Sequence, residues 1–221
     1  MKIVGLGPAG ISRMSVEARE VVFGARVLLV RTSMHPAAEE LAENGVRFET
    51  FDSVYESADT FDEVYAEIAK RVTAAAHEYR DIVYAVPGHP LCVERSVELI
   101  IDAARRENID FEIIGSESFV EVCLEAVAAP LGDGLKLIDA AAVPDIMPSV
   151  DCPNLIYQVY DRMTASAVKL AMMDIYPDEF EIAVIFHAGC SDQSVDWIPL
   201  YQLDRREHDH LTSIYTPKLK G

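Results

Sequence analysis

Three glycines near the amino terminus form the first pattern that could bind a ligand. Gly5, Gly7 and Gly10 follow a hydrophobic run that begins at Lys2, and they match the G-x-G-x-x-G pattern of dinucleotide-binding turns. Such sites also need an acidic residue about twenty positions later, which holds a ribose hydroxyl. Here the second predicted strand ends in the letters VRT at residues 30–32, which include no acidic residue. The pattern therefore does not favour an NAD site. The glycines either contact a ligand or only let the turn pack tightly.

A second candidate is the segment VPGHP at residues 86–90. Two prolines around Gly88 fix a rigid loop directly after a predicted buried strand. In an open parallel sheet, ligands bind at the carboxyl ends of the strands, where backbone groups can contact an adenosyl or amino-acid moiety. The alternative is a simple tight turn. His89 is the polar side chain of this loop, and it is either a ligand contact or a loop histidine satisfied by its neighbours.

Two further patterns could suggest metal sites, and we interpret both as coincidence. The acidic residues at 39–43 and 56–59 match the E-E-x-x-E…E-x-x-D pattern of MazG-type pyrophosphohydrolases, whose carboxylates converge on magnesium from long helices. Here Gly45 ends the first helix, and a predicted strand at 46–51 separates the two halves. If this third function held, Glu40→Gln would abolish a magnesium-dependent activity. The segment His-Asp-His at 208–210 has no evident third ligand and indicates a polar surface segment.

The first half of the chain alternates predicted strands with predicted helices. The strands are predicted at 2–6, 27–30, 46–51, 82–86 and 111–114, and the helices at 15–23, 37–44, 53–58, 61–77 and 93–107. Five strand–helix units in about 115 residues indicate a mainly parallel sheet with helices on both faces. The sequence therefore predicts an N-terminal α/β lobe at 1–115.

The second half, from residue 116 onward, changes in character. Helices are predicted at 119–127 and 165–176, and strands at 135–139, 155–160, 182–187, 196–200 and 213–216. The last two strands are expected to be antiparallel. We expect a C-terminal mixed α/β lobe at 116–221, so that the fold class is a two-lobed α/β protein.

Composition excludes several classes of function. The net charge is -18, which disfavours nucleic-acid and membrane partners, because both carry negative charge. The four cysteines are far apart in the sequence and do not form a zinc or redox motif. With no predicted leader or membrane-spanning run, they indicate a protein of the reducing cytoplasm.

Several segments in order resemble the tetrapyrrole (corrin/porphyrin) methylase family. They are VGLGPAG at 4–10, VPGHP at 86–90, IGSESF at 114–119, LIYQVYD at 155–161 and the Ala-Gly turn at 188–189. The resemblance covers nearly the whole chain. RTSMHP at 31–36, FDEVYAEI at 61–68, VPGHPL and LDRREHDHLTS at 203–213 are similar to the YabN-like branch, in which this domain precedes a MazG-type pyrophosphohydrolase.

The resemblance implies a tetrapyrrole methylase-like fold that binds S-adenosylmethionine between its two lobes, and it implies a homodimer. It allows a further C-terminal pyrophosphohydrolase domain, absent from this chain. Carried over position by position, it assigns to the cofactor the residues Pro8, Pro87, Gly88, His89, Pro90, Cys92, Ser118, Phe119, Gln158, Val159, Tyr160, Ala188 and Gly189.

The chain departs from the family pattern at the first turn. The family has G-P-G-D there, whereas this chain has Pro8-Ala9-Gly10-Ile11 and lacks the acid; His89 replaces an Asp in the second loop, as in the branch that it resembles. His89 and Asp161 are the candidate catalytic residues, and Asp161 could equally cap the helix after it. Arg13, Arg31 and Arg162 could form a basic patch for the carboxylates of a tetrapyrrole.

We therefore expect an S-adenosylmethionine-dependent methyltransferase that acts on a tetrapyrrole-like small molecule. The alternative is a non-catalytic module that senses S-adenosylmethionine or a nucleotide and regulates an attached pyrophosphohydrolase. The missing acid and the acidic surface favour this alternative.

Overall fold

The computed structural model describes residues 1–219, and the chain divides into two compact units. The first unit comprises Met1–Phe119, and the second begins at Val120. The sequence had suggested a division after residue 115. Each unit is built around its own five-stranded sheet.

The first unit contains a sheet of five parallel strands, as predicted. In chain order these are β1 (Lys2–Gly5), β2 (Val27–Val30), β3 (Glu49–Thr50), β4 (Ile82–Val86) and β5 (Glu112–Ile114). Their order across the sheet is β3-β2-β4-β1-β5, so β1 and β4 are neighbours in the middle. Strand β3 is shorter than the predicted run of 46–51. The first residues of the predicted run belong instead to the turn that ends the preceding helix, because the Val46 N–H donates to the Leu41 carbonyl at 3.0 Å.

Five helices of this unit cover both faces of its sheet. They are α1 (Val16–Phe23), α2 (Pro36–Glu43), α3 (Asp52–Ser57), α4 (Phe61–Glu78) and α5 (Arg95–Glu107). Alternate residues of each strand point to opposite faces. Val4 and Val83 therefore join the core with α1 and α2, whereas Ile3 and Tyr84 join the core with α3, α4 and α5.

The second unit contains the predicted mixed sheet. Its strands are β6 (Lys136–Asp139), β7 (Asn154–Tyr157), β8 (Glu181–Phe186), β9 (Ser194–Pro199) and β10 (Ser213–Thr216), in the order β6-β7-β10-β8-β9. Strand β6 is parallel to β7, and the other neighbours are antiparallel. The helices are α6 (Phe119–Ala126), which begins at the last residue of the first unit, and α7 (Arg162–Met173), whose residues Val168 and Met172 are buried against the sheet.

Two predicted boundaries in the second unit were wrong. Strand β7 ends at Tyr157 rather than at residue 160, because Gln158 adopts φ +60°, a left-handed conformation that a pleated strand cannot continue. Helix α7 lies three residues earlier than the predicted 165–176, because Asp161 caps it at its start. None of the helices in the described part of the chain combines the length and the hydrophobicity needed to cross a membrane.

Candidate cofactor site

The two glycine segments of the first unit are joined directly through their backbones. The Gly7 N–H donates to the Gly88 carbonyl at 3.1 Å, and the Gly88 N–H donates to the Gly7 carbonyl at 2.7 Å. Both residues have left-handed φ angles, +77° and +65°, which favour glycine. Because β1 and β4 are adjacent parallel strands, the turns that follow them form one backbone platform at the carboxyl edge of the sheet.

The first strand can approach this platform only because Gly5 has no side chain. A Cβ on Gly5 would lie 2.4 Å from the Gly88 carbonyl oxygen and 2.9 Å from the Pro90 ring. In contrast, a Cβ on Gly88 would have only the Ser118 Cα within 4.0 Å. The inner glycine is therefore required for packing, whereas open space lies beside Gly88, the glycine of the proline-flanked loop.

The loop after β5 is attached to the same platform. The Ser116 hydroxyl donates to the Gly5 carbonyl at 2.6 Å and accepts from the Ser15 N–H at 3.1 Å. Ser15 also caps α1, since its hydroxyl accepts from the Ala18 N–H at 3.1 Å. We call residues 5–15, 86–94 and 115–118 the carboxyl-edge loops.

His89 lies against Gly115 within these loops. Its Nδ1 accepts a hydrogen bond from the Leu91 N–H at 3.1 Å, so the neutral ring carries its hydrogen on Nε2. A Cβ on Gly115 would lie 2.5 Å from Nε2. The ring also lines a cavity of about 370 Å³, whose other walls are residues 12–15 and 115–117. His89 therefore presents an N–H donor in this arrangement, and its acceptor nitrogen is already bonded.

Glu40 brings a carboxylate to the first turn, and sequence reasoning did not foresee this contact. Its Oε2 accepts from the Ile11 N–H at 3.0 Å, and a Cβ on Gly10 would lie 2.1 Å from its Oε1. The third glycine of the pattern is thus needed to admit this side chain. When the first two letters of the family pattern G-P-G-D are matched to Gly7 and Pro8, the missing acid falls at residue 10, so this turn has a carboxylate beside it that comes from α2 instead. The only signal in the sequence was the acidic run at 39–43, which suggested a different function.

A buried ion pair anchors the end of the second loop. The guanidinium of Arg31, directly after β2, lies 3.2 Å from the carboxylate of Glu94, which is only 6% exposed. The other oxygen of Glu94 accepts from the Ser96 hydroxyl at 2.8 Å, and that hydroxyl bonds to Tyr84 at 2.8 Å. Burial and the charge of Glu94 raise the pKa of Tyr84, so this tyrosine stays protonated.

Two of the three arginines that were predicted to form a basic patch are paired with carboxylates. Arg13 lies 3.1 Å from the Glu117 carboxylate at the edge of the cavity, and Arg31 is paired as described. Arg162 is the first residue of α7, and its charge acts on Asp204. The two arginines of the first unit are therefore already neutralised by carboxylates.

The remaining predicted cofactor residues of the first unit lie in the same loops, except Phe119, which follows them directly. Pro8 is half-buried in the first turn, and Pro87 and Pro90 flank the second, where Pro90 is buried. The Cys92 N–H donates to the His89 carbonyl at 2.9 Å, which closes that loop. Ser118 is buried just before Phe119, the first residue of α6. The structure thus brings together all eight predicted residues of this unit.

The predicted residues of the second unit lie in two loops, each of which is held by hydrogen bonds. Gln158, Val159 and Tyr160 follow β7, and Ala188 and Gly189 follow β8. The Val159 N–H donates to the Thr212 carbonyl at 3.2 Å. The Gly189 N–H donates to Oε1 of Gln193 at 2.7 Å, and a Cβ on Gly189 would lie 3.0 Å from Val122.

Asp161, the second candidate catalytic residue, caps α7. Its Oδ1 accepts from the Thr164 N–H at 2.7 Å, and this bond is the main reason why the pKa of Asp161 is lowered. The interpretation of Asp161 as a helix cap is confirmed. Its carboxylate is therefore engaged in holding the helix.

The two metal-like patterns do not converge. Helix α2 and helix α3 separate the acidic residues into two elements with β3 between them, and Glu40 bonds to the first turn. Residues 208–210 are not part of a strand, and His208 bonds to the Leu203 carbonyl at 2.9 Å. Within residues 1–219, no three His, Cys, Asp or Glu side chains are arranged to hold a metal ion.

A larger cavity, of about 720 Å³, lies at the opposite edge of the first sheet, beside the amino ends of β1, β4 and β5. Its lining includes Lys2, Arg26, Asp81 and Glu112, and no predicted site residue. Ligands of open parallel sheets bind at the carboxyl edge, so the loops around Gly88 form the better candidate site.

The chain is similar to known proteins of one family. Residues 2–204 match the family described as Tetrapyrrole (Corrin/Porphyrin) Methylases. A protein of Bacillus subtilis (strain 168), described as uncharacterized protein YabN, is 35% identical over 219 residues; the match covers 99% of this chain and 45% of that protein. The chain thus spans less than half the length of this relative.

Solved methyltransferases share the fold. A cobalt precorrin-4 methyltransferase superposes with a TM-score of 0.77 at 17% identity, covering 100% of this chain and 95% of that one. The uroporphyrin-III C-methyltransferase of Thermus thermophilus, complexed with S-adenosylhomocysteine, superposes with a TM-score of 0.74 at 14% identity, covering 97% and 96%. By sequence and by fold, the chain belongs to the tetrapyrrole (corrin/porphyrin) methylase family of methyltransferases.

Proposed function

We propose that the chain binds S-adenosylmethionine at the carboxyl-edge loops and transfers its methyl group to a small cyclic acceptor of the tetrapyrrole type. The observation that carries the proposal is the open space beside Gly88, on a platform that Gly7 and Gly88 hold together with two backbone hydrogen bonds. Membership of the methylase family and a structural neighbour complexed with S-adenosylhomocysteine support the same cofactor.

The residues at the platform suit a nucleoside with an amino-acid tail. Residues 87–89 are half-exposed and Pro90 is buried, and Gly88, whose left-handed φ favours glycine, places no side chain in the space beside it. We assign cofactor contacts in the first unit to Pro8, to residues 87–90 and to Cys92, Ser118 and Phe119. The assignment of residues 158–160 and 188–189 in the second unit rests on the family resemblance.

The chemistry requires positioning more than acid–base catalysis. When bound, S-adenosylmethionine would supply an electrophilic methyl group: the acceptor atom would form a bond to the methyl carbon as the carbon–sulfur bond breaks, and S-adenosylhomocysteine would leave. The two candidate catalytic side chains are engaged, because Nδ1 of His89 accepts from Leu91 and the Asp161 carboxylate caps α7. In this arrangement His89 can donate a hydrogen bond from Nε2 and so orient an acceptor oxygen.

Calorimetric titration with S-adenosylmethionine and S-adenosylhomocysteine tests the binding step. We expect micromolar affinity for both ligands, since both carry the adenosyl group that the platform would contact. Absence of binding by either ligand would overturn the proposal. A panel of tetrapyrroles, assayed for formation of S-adenosylhomocysteine, then tests turnover.

A second proposal is that the same site senses the cofactor without catalysis. Two observations favour it: the engaged state of His89 and Asp161, and the match to only 45% of the Bacillus relative, which leaves room for another domain in a protein of that length. The resemblance to the YabN-like branch implies that this domain would be a MazG-type pyrophosphohydrolase. Binding of S-adenosylmethionine without turnover on any tetrapyrrole would support the sensor, whereas turnover would support the enzyme.

A further inference from the structure

His187, at the end of β8, is held between two carboxylates. Its Nδ1 lies 2.6 Å from Oδ2 of Asp192, and its Nε2 lies 2.5 Å from Oδ2 of Asp209. A neutral imidazole has one N–H donor and one acceptor nitrogen, so one of these carboxylates would face a lone pair. Only the protonated ring can donate to both. The geometry therefore favours the imidazolium form.

The first of these bonds closes the loop that contains the Ala188–Gly189 turn. His187 and Gly189 have left-handed φ angles of +48° and +83°, which turn the chain sharply after β8. The Cys190 N–H donates to the His187 carbonyl at 2.9 Å. Asp192 lies further along the same loop, so its bond to His187 ties the loop back onto the end of the strand.

The second bond connects this loop to the segment after β7. The other carboxylate oxygen of Asp209, Oδ1, accepts from the Leu211 N–H at 2.9 Å and from the Thr212 hydroxyl at 3.0 Å. The Thr212 carbonyl accepts from the Val159 N–H. Asp209 thus links His187 to the neighbourhood of Val159, and the two segments of the second unit that the resemblance assigns to the cofactor are coupled through one histidine.

We propose that protonated His187 is a positioning residue that holds residues 188–189 and the segment at Val159 in the arrangement that binds the cofactor. This inference rests on the proposed function of those two segments. When His187 loses its proton, one of the two bonds is lost, the loop 187–193 is released from one anchor, and affinity for the cofactor falls.

The charges around the ring set the pH at which this happens. Hydrogen bonds from the ring to Asp209 and to Asp192 raise the pKa of His187 above its usual value of 6.5. The pKa of the Cys190 thiol, beside Asp192, is raised by burial and by that carboxylate, so the thiol stays neutral in the same range. We call His187 with its hydrogen bonds to Asp192 and Asp209 the clasp. The clasp is complete below pH 6.5, and one of its bonds is lost as the pH rises through the raised pKa of His187.

Nuclear magnetic resonance tests the clasp without any ligand. We expect both ring nitrogens of His187 to be protonated at pH 6.5, and the Gly189 and Cys190 amides to lose protection from hydrogen exchange as the ring deprotonates. In Asp209→Asn the ring should titrate at a lower pH. A ring that is neutral at pH 6.5, or amide protection that does not follow its titration, would overturn the inference.

Affinity for S-adenosylhomocysteine between pH 6 and pH 8.5 tests the role of the clasp. We expect the affinity to fall on the order of tenfold across the titration in the wild type. It should vary less in His187→Asn, where asparagine tolerates the left-handed backbone. His210→Asn, at an exposed neighbour, should behave as the wild type.

An affinity that depended equally on pH in the wild type and in His187→Asn would overturn the inference while the proposed function stood. If the wild type bound no ligand at any pH, the proposed function would fail, and the resonance experiment would still decide whether the clasp exists.

Discussion

Gly7 and Gly88 exchange two backbone hydrogen bonds, although 80 residues separate them in the sequence. They join the turns after the two central strands, β1 and β4, and Gly88 faces open space. The turn at Gly7 is closely packed and should matter for stability, whereas the turn at Gly88 has open space beside it and should matter for binding. Substitutions at the two glycines can separate these roles.

Gly7→Ala should destabilise the protein by about 3 kcal/mol, because it adds the strain of a left-handed alanine to a clash of its Cβ with the Arg13 carbonyl oxygen, 2.6 Å away. The matched control is Gly45→Ala, which has the same φ of +77° and no atom within 4 Å of the added Cβ. This control should cost about 1 kcal/mol. Denaturant unfolding of both variants measures the difference, and equal costs would contradict the close packing at Gly7.

Gly10→Ala should cost about 1–2 kcal/mol, because the new Cβ would displace the Glu40 carboxylate from the Ile11 N–H. In a Glu40→Ala background the same substitution should cost much less, since the clashing atoms are gone. A double-mutant cycle by denaturant unfolding measures this coupling. Additive costs would show that Glu40 does not occupy the space beside Gly10.

Glu94→Gln should destabilise the protein by about 3 kcal/mol, because it leaves the buried guanidinium of Arg31 without its counter-charge. The control lies one turn along the same helix: Glu98 pairs with Arg95 on the surface, where both side chains are more than half exposed. Glu98→Gln should change stability by less than about 0.5 kcal/mol. Similar losses in both variants would refute the distinction between the two ion pairs.

His35 should make the protein less stable in acid. Burial and the nearby charge of Arg31 lower the pKa of His35 to about 4, and its Nδ1 accepts from the Ala37 N–H at the start of α2. The unfolded chain binds this proton near pH 6.5 and the folded chain only near pH 4. Stability is therefore lost as the pH falls between these values, by about 3 kcal/mol from this residue.

The histidine's contribution can be isolated with His35→Asn, since asparagine can also cap α2 but does not titrate. The difference in unfolding free energy between wild type and variant should change between pH 7 and pH 4. His210→Asn, at an exposed histidine, is the control for replacing a histidine by asparagine. A difference that stayed constant for His35→Asn would show that His35 titrates normally in the folded protein.

Local patterns predicted most of the first unit, because β1, β2 and β4 are short buried runs and the longest helix, α4, has a regular hydrophobic spacing. Thr60, for example, caps α4 in a reciprocal arrangement with Glu63, and the spacing of Val64, Ile68 and Val72 marks the buried face of that helix. Such features depend on residues a few positions apart, which a sequence shows directly.

Contacts between distant residues could not be predicted in the same way. Glu40 reaches Ile11 across 29 positions, and His187 reaches Asp209 across 22. Neither pair has a spacing that marks it, and each contact exists only once the strands bring its loops to the same edge. The left-handed backbone at Gln158 is a similar case, since glutamine does not itself predict such a turn.

Calorimetric titration of S-adenosylhomocysteine into Gly88→Trp and Gly45→Trp tests the central claim most directly. Both glycines have left-handed φ angles and open space around the added Cβ, so the two variants share the same backbone strain. Only Gly88 lies on the proposed cofactor platform. We predict that Gly88→Trp abolishes binding and that Gly45→Trp binds as the wild type does; full affinity in Gly88→Trp would contradict the account.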